Sequence, residues 1–378
     1  MEKRTKITQF YCFILILFLS MFLFPSNGIA QDSTQKRFYF FRPENTFGSE
    51  SQVDPVNIFL NGGYDMTRNG GHSKNIFTWD YKGDGAHVWK NLKDPIGNIR
   101  KFGWNEFVHQ EIFNFTIGVK NAEFLPNIAG HTIGNGMHYA KLAEYFEYHN
   151  VPLPYLWSGL TTTAYQVMNE IVEAEGYRGI NVDLVADIYM FNISGLAIFS
   201  TDWGKRFFSE TLPINEWSPQ PIIEPMTGNL QNAGQQYYVR KKISFTGKWS
   251  PFLYYGVYSI FGASYAYDSQ NSLTLGAGNV INKLREGRSR GFRKIDPKID
   301  GSVGFFWDRN SSLMTSVLFT GPGLYNMQVN IYPGVISFGA FSPGFYLAVG
   351  EWDGFILGIT FSEFPFGLGY GKNNNATL

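Results

Sequence analysis

Residues 366–371 read FGLGYG, with a large apolar side chain at every second position and glycine between them. Successive side chains of a β-strand point to opposite faces, so this spacing predicts a strand with one apolar face and one bare face. Residues 355–361, FILGITF, come shortly before it and carry apolar side chains at 355, 357, 359 and 361. Two such segments at this separation are typical of neighbouring antiparallel strands.

The same period of two extends over residues 235–371. The opposed sets are Tyr237, Val239, Ile243, Phe245 and Trp249 against Arg240, Lys242, Ser244, Thr246 and Lys248; Leu273, Leu275 and Ala277 against Ser272, Thr274 and Gly276; Ile299, Val303, Phe305 and Trp307 against Lys298, Asp300, Ser302 and Gly304; and Tyr325, Met327, Val329 and Ile331 against Leu324, Asn326, Gln328 and Asn330. A shorter strand is predicted at 335–340, and turn residues such as Pro333-Gly334 separate the segments. We therefore predict about eight to ten short strands joined by hairpins.

Two architectures fit such a strand series. An outer-membrane β-barrel turns its apolar faces outward to lipid, whereas a soluble β-sandwich turns them inward against a second sheet. Here the apolar face is unusually aromatic and the opposite face is rich in glycine and serine, which favours the barrel. We predict a mainly β fold, an antiparallel transmembrane β-barrel of about 8–12 strands plus a helical insert of three helices. The alternative is an exported soluble β-sandwich binding protein.

The first 30 residues indicate export. Three basic residues precede an apolar run at residues 10–24, and small residues precede a predicted cleavage after Ala30. The run is shorter than the ~20 residues of a spanning helix, so a signal peptide is predicted at 1–30 rather than an anchor. Cys12, the single cysteine, lies within it, so the mature chain can form no disulfide. Later stretches are too polar to span as helices, and the predicted localisation is the outer membrane.

The composition fits this interpretation. Equal numbers of basic and acidic residues, 31 each, give a formal net charge of zero and no global attraction to nucleic acid. Only 16% of residues are charged while 17% are aromatic, which argues against a disordered chain and against a helical bundle. The predicted partners are the lipid bilayer and the barrel assembly machinery, with no nucleic acid and no cofactor.

The rest of the chain divides into two regions. Residues 31–125 are aromatic and rich in turns, with a loop at Asn61-Gly62-Gly63 and a strand predicted at 113–119. Residues 126–212 show helical periodicity, and helices are predicted near 129–143, 156–174 and 182–198, the last capped by Asn181. This helical insert would plug the barrel or pack at its periplasmic rim, ahead of the barrel strands at 235–371.

Ionisable residues are embedded in these apolar helices, where such groups usually face a partner or a wet cavity. They are His131, His138, Glu144, Glu170, Glu173, Asp183 and Asp187. A His on the first helix, a Glu near the end of the second and an Asp at the start of the third resemble the helical unit of the VanZ-like and YfiM-like families of bacterial envelope proteins. Outer-membrane barrel families of unknown function carry a similar insert. The resemblance points to His131, Glu170 and Asp183, with Asp187 and Gly195 as further matching positions.

Two interpretations of these residues stay open. His131 could act as a general base that Glu170 and Asp183 orient, or the three could bind a metal, in an enzyme that modifies outer-membrane lipids. Alternatively, the three side chains hydrogen-bond across the helices and lock the insert together, because an unpaired buried carboxylate is costly. We favour the second interpretation, and with it a role in envelope structure or lipid handling. Whether a metal binds is left open.

Residues 279–295 are strongly basic and are predicted to form the longest loop of the strand region. Arginine pairs phosphate groups in a bidentate manner, so contact with anionic lipid or with a surface glycan is predicted for four of these residues. They are Arg285, Arg288, Arg290 and Arg293. The alternative is a solvated loop that its charge keeps soluble.

Overall fold

The computed structural model describes residues 38–68, 73–113, 126–289, 292–321, 325–339, 341–350, 354–362 and 364–372. For residues 126, 127, 244 and 282–297 only the backbone is described. The predicted signal peptide, most of the strand predicted at 113–119 and Arg290 therefore lie outside the described residues.

The named strands of the described chain belong to one sheet of 13 strands. They are β1 Ile214–Glu216, β2 Ile222–Ile223, β3 Leu230–Gln231, β4 Gln236–Arg240, β5 Trp249–Gly256, β6 Tyr258–Ala266, β7 Asn271–Ser289, β8 Phe292–Arg309, β9 Ser312–Thr320, β10 Met327–Ile331, β11 Pro343–Val349, β12 Phe355–Phe361 and β13 Gly367–Lys372. From β4 to β13 each strand pairs antiparallel with the next. The fold is a mixed α/β arrangement. It is compatible with the prediction of a β-rich chain that also carries helices.

The sheet is strongly curled. Tyr254 on β5 and Phe306 on β8 have ring centroids 4.9 Å apart. Gln328 on β10 donates a hydrogen bond of 2.9 Å to the hydroxyl of Tyr258 on β6. In a flat sheet, strands three and four positions apart would be separated by about 14 and 19 Å, so these contacts require one face to bend inward. The outermost strands, β1 and β3, are not paired with each other in the described residues, so strand pairing does not close the sheet into a barrel.

The chain at residues 214–223, here called the crossing segment, contacts both ends of the antiparallel run. Its β1 pairs with β4, and its β2 pairs in parallel with β13. Between them Trp217 is fully buried, stacks on Tyr238 at 3.8 Å and donates its indole N–H to the carbonyl of Ser311 at 2.9 Å. Gln220 donates to the carbonyl of Ile331 at 3.2 Å. The crossing segment therefore packs against the inner face of the curled sheet.

The two faces of the sheet match the alternation in the sequence. Large side chains such as Leu275 and Tyr370 are 53% and 55% exposed on the outer face. Glycines occupy the inner face of β12 and β13, where Ile222 of the crossing segment lies. A Cβ on Gly358 or Gly369 would come within 2.8 or 2.4 Å of the Ile222 side chain. The bare inner face is what lets the crossing segment approach so closely.

Two of the predicted strands are wrong. Residues 237–249 are not one strand, because a 3₁₀-helix at Ser244–Thr246 separates β4 from β5. Gly247, at φ 64°, adopts a backbone conformation that a strand does not contain. In the described part of 335–340, Phe338 forms only an isolated bridge to Phe341. Alternation alone did not reveal these interruptions.

The basic residues 279–295 were also wrongly predicted to form a loop. Residues 279–289 and 292–295 lie on the antiparallel strands β7 and β8, whose pairing runs from Asn271 opposite Arg309 to Ser289 opposite Phe292. Charge is a poor indicator of a loop here, because the backbone hydrogen bonds of a hairpin do not depend on side-chain polarity.

The N-terminal region contains helices where the sequence predicted turns. They are α1 Pro55–Gly63, α2 Tyr81–Lys93, α3 Pro95–Phe102 and α4 Trp104–Phe107, which continues as a π-helix at Val108–Ile112. Asp54 starts α1 by accepting hydrogen bonds from two backbone N–H groups of the first turn, at 2.7 and 3.2 Å, and Pro55 takes the first position. The predicted loop Asn61-Gly62-Gly63 is instead the end of this helix.

The three helices predicted for the insert are present. The first is α5 Asn135–Tyr148, which a π-helix at Pro126–Gly134 precedes, and the second is α6 Pro154–Ala174. The third is formed by α7 Asp183–Ala186, a π-helix at Asp187–Asn192 and α8 Ile193–Phe199. After it, α9 Asp202–Arg206 and a π-helix at Phe207–Thr211 lead to β1. Asn181 was predicted to cap the third helix, but the cap position is Val182; Asn181, one residue earlier, accepts a hydrogen bond from the backbone N–H of Asp183 at 3.1 Å. Gly195 permits close packing, since a Cβ there would lie 2.4 Å from the Thr132 carbonyl oxygen.

Within the described residues, none of the individual helices has the length and apolar content needed to cross a membrane. One pair, Asp183–Phe199 with Asp202–Thr211, meets those requirements jointly, with a bend of 86° between its two parts.

Candidate functional site

His131 and Asp187 meet where two π-helices of the insert pack together. His131 lies in the π-helix Pro126–Gly134, and Asp187 begins the π-helix Asp187–Asn192. The Nε2 atom of His131 is 3.7 Å from Oδ2 of Asp187. Asp187 is buried, whereas His131 keeps partial exposure. Because π-helical turns frequently occur at functional sites, this pair is the centre of the candidate site.

The other ring nitrogen of His131 is held by Gln166 on α6. Its Nδ1 lies 2.5 Å from Oε1 of Gln166. With this amide orientation the oxygen can only accept, so Nδ1 of His131 carries the hydrogen. In the neutral ring, Nε2 is then the nitrogen that can accept a proton, and it faces Asp187. An imidazole held in this way has the geometry of an oriented general base.

Further carboxylates surround Asp187 and change its proton affinity. Burial raises the pKa of Asp187 well above its ordinary value of 3.8, and the charges of Asp183, Glu170 and Glu173 raise it further. Burial also lowers the pKa of His131. Both shifts favour the neutral forms. The pair therefore combines a carboxylic acid that can donate a proton with an imidazole that can accept one.

Asp187 is the residue that connects the three predicted ones. His131 lies beside Asp187, while Glu170 and Asp183 are near enough for their charges to raise its pKa. Sequence reasoning missed Gln166, whose signal is its position one helical turn before Glu170. Among the described residues, no group of three or more His, Cys, Asp or Glu side chains is arranged to hold a metal ion.

A second buried cluster joins α5 to the crossing segment. The Nζ atom of Lys141 lies 3.2 Å from Glu50 and 3.3 Å from Glu216. Nε2 of His138 is 2.9 Å from the other carboxylate oxygen of Glu216. All four side chains are buried. These four residues, here called the Lys141 cluster, were not predicted as a unit, although His138 and Lys141 share one face of their helix.

The remaining candidates have separate outcomes. Glu144 accepts hydrogen bonds of 2.8–2.9 Å from three consecutive backbone N–H groups at residues 39–41, so it anchors the start of the described chain. The side chains of Arg285, Arg288 and Arg293 are not described. Their contact with anionic lipid or with a surface glycan therefore stays a prediction.

Comparison of the chain with known protein families, with curated proteins and with solved structures found no match. The resemblance of the insert to the VanZ-like and YfiM-like helical unit therefore rests on the order of residues alone, and it stays a prediction.

We expect Asp187→Asn to raise the free energy of unfolding at pH 8 by at least about 1 kcal/mol and to change it little at pH 4. A carboxyl whose pKa is raised in the folded state stabilises the fold below its ordinary pKa and loses that stabilisation as the pH rises through the raised value. Asparagine cannot ionise, so the variant should lack this loss. Urea unfolding in detergent micelles at a series of pH values measures the effect. Asp202→Asn, at an 80% exposed side chain, is the control, and equal pH slopes for Asp187→Asn and wild type would contradict the assignment.

Proposed function

We propose that the protein is an integral outer-membrane protein whose curled sheet forms the wall of a β-barrel, with a role in envelope structure or lipid handling. The observation that carries the proposal is the outer face of the sheet, which exposes large apolar side chains on strand after strand. They include Trp249, Leu273, Leu275, Phe305, Phe319, Leu357, Leu368 and Tyr370. Proteins surrounded by water rarely expose apolar surfaces that extend over so many neighbouring strands.

The inner face supports the same proposal. It carries its own buried core, in which Trp217 of the crossing segment packs against Tyr238, Phe252 and Phe306. A sheet that is packed inside and apolar outside has the pattern of a small barrel in lipid. The sandwich alternative lacks support, because the named strands of the described chain form one sheet and leave no second sheet to cover the apolar face.

The helical insert fits better at the rim than as a plug. Met137 and Ala140 of α5 pack with Tyr237 and Val239 on β4, in a cluster distinct from the core around Trp217. The inner side of the sheet is already occupied by its own side chains and by the crossing segment. We therefore place the insert, with the His131–Asp187 pair, at one end of the barrel and outside the spanning strands.

A second candidate function is modification of membrane lipids. The raised pKa of Asp187 and the lowered pKa of His131 favour it, because proton transfer between substrate and enzyme needs an acid and a base of this kind. The same residues also suit the structural interpretation, in which they lock the insert together. His131→Ala separates the two: a folded variant with an altered lipid profile supports the enzyme, and a folded variant with unchanged lipids contradicts it.

The experiment that tests the membrane proposal expresses the full chain, so that the predicted signal peptide directs export, and follows the mature protein. We expect it to fractionate with outer membranes, to require detergent for extraction, and to migrate differently on gels before and after heating. Purified protein transferred to buffer without amphiphile should aggregate, because water would contact the apolar outer face. Protein that stayed dispersed and folded in plain buffer would overturn the proposal.

A further inference from the structure

A cleft of about 280 Å³ lies between α2, α3 and the loop at residues 178–180. Its polar lining side chains are Lys90, Asn91, Asp94, Asn98, Lys101 and Arg178. None of these residues belongs to the His131–Asp187 pair or to the Lys141 cluster. The volume suits a small polar group rather than a large apolar ligand.

The charges in the cleft favour an anion. Arg178 already donates hydrogen bonds to Asp80, at 3.1 Å, and to Asp84. Lys90 and Lys101 differ from it, since no ion pair involving either is found within the described ranges. Both lysines line the cleft, and their charges are available to an anion there.

The single carboxylate that lines the cleft already accepts a hydrogen bond within a helix. Asp94 caps α3, and its side chain accepts a hydrogen bond of 3.0 Å from the backbone N–H of Gly97. A carboxylate that caps a helix has part of its charge compensated by the N–H groups and dipole of that helix. It therefore repels an anion near Lys90 and Lys101 less than a carboxylate without such hydrogen bonds would.

The floor of the cleft is held in place by buried amides. Asn91 and Asn98 are 4% and 6% exposed. Asn98 donates to the carbonyl of Asn91 at 3.1 Å, and the side-chain oxygen of Asn91 accepts from the backbone of Asn181 at 3.1 Å. A site fixed by its own hydrogen bonds loses little conformational freedom when a ligand binds.

Exposed apolar side chains lie on α2, on α3 and on the helix α4 that follows them. Trp89, Ile96 and Trp104 are each more than half exposed, and the Lys93 ammonium lies 6.0 Å from the Trp89 ring. Exposed tryptophan beside lysine is typical of segments at the level of lipid headgroups. We propose that the cleft binds a phosphate group through Lys90 and Lys101. The proposal of a phosphate site depends on the cleft alone. The proposal that a lipid headgroup supplies the phosphate rests on the membrane location proposed above.

The test titrates the mature protein, in a non-ionic maltoside detergent, with inorganic phosphate and separately with short-chain phosphatidylglycerol, and follows binding by calorimetry. The variant Lys90→Gln/Lys101→Gln should weaken the affinity at least about tenfold, because it removes two charge-assisted hydrogen bonds. The control Lys82→Gln/Lys242→Gln removes the same charge from two exposed lysines that do not line the cleft, and it should keep the wild-type affinity.

Each outcome decides the proposal. Saturable binding of either probe that only the cleft variant weakens supports it. If phosphatidylglycerol binds and inorganic phosphate does not, the source is a lipid headgroup; if both bind, free phosphate suffices. Equal weakening by the two lysine pairs, or no saturable binding of either probe, overturns it. If the mature protein is folded without detergent, the same titration in buffer tests the cleft although the membrane proposal has failed.

Discussion

Lys141→Met is expected to lower the free energy of unfolding by about 3–5 kcal/mol. Lys141 is 3% exposed and lies between the carboxylates of Glu50 and Glu216. Methionine fills nearly the same volume, so the packing stays, but two carboxylates lose the cation between them in a buried site. Urea unfolding in micelles, followed by tryptophan fluorescence, measures the loss.

The control for this prediction changes the carboxylates as well. In a Glu50→Gln/Glu216→Gln background, Lys141 is a buried cation that has lost both of these carboxylates. Lys141→Met should then cost little or even stabilise the fold, because coupled sites are not additive. The same loss in both backgrounds would show that Lys141 acts through its apolar stem and not through its charge.

Leu275→Lys is expected to destabilise the protein folded in lipid vesicles by about 2–4 kcal/mol. Leu275 lies within β7, opposite Phe305 of β8, and its side chain is 53% exposed on the outer face. If lipid covers that face, the new ammonium group must leave water or deform the bilayer. Unfolding by urea from phosphatidylcholine vesicles, compared with wild type, measures the difference.

Met226→Lys is the matched control for Leu275→Lys. Met226 is 84% exposed and lies in the turn between β2 and β3, outside the antiparallel run of strands. The same new charge at this position should change the stability by less than about 0.5 kcal/mol. Equal small effects at both positions would mean that water covers the outer face and that the membrane proposal is wrong.

Alternation predicted the faces of the sheet well because it depends on neighbouring residues only. In β13, Leu368 and Tyr370 are exposed and Gly369 between them lies on the inner face, as their spacing indicates. The same rule failed at residues 237–249, where the strand ends at Arg240 and a 3₁₀-helix at Ser244–Thr246 precedes the next strand. Period two indicates which face a side chain takes, but it does not indicate where the backbone leaves the sheet.

The N-terminal helices could have been predicted from their caps. Asp54-Pro55 and Asp94-Pro95 each place a capping aspartate before a proline at the first helical position. The glycines at the end of α1 obscured this signal, because glycine is more common in turns than in helices. Packing of α1 against α6 explains why they are helical: a Cβ on Gly62 would lie 2.5 Å from the Tyr165 ring.

The sequence by itself determined which side chains share a face of the sheet, where the helices of the insert lie and which ionisable residues those helices bury. Only the tertiary structure decided that Asp187 is the centre of the carboxylates and that Lys141 is held by Glu50 and Glu216. The physical reason is the separation along the chain of the residues that determine each property. Strand faces and helix periodicity follow from backbone geometry over a few residues, whereas the balance of buried charge depends on which remote segments pack together.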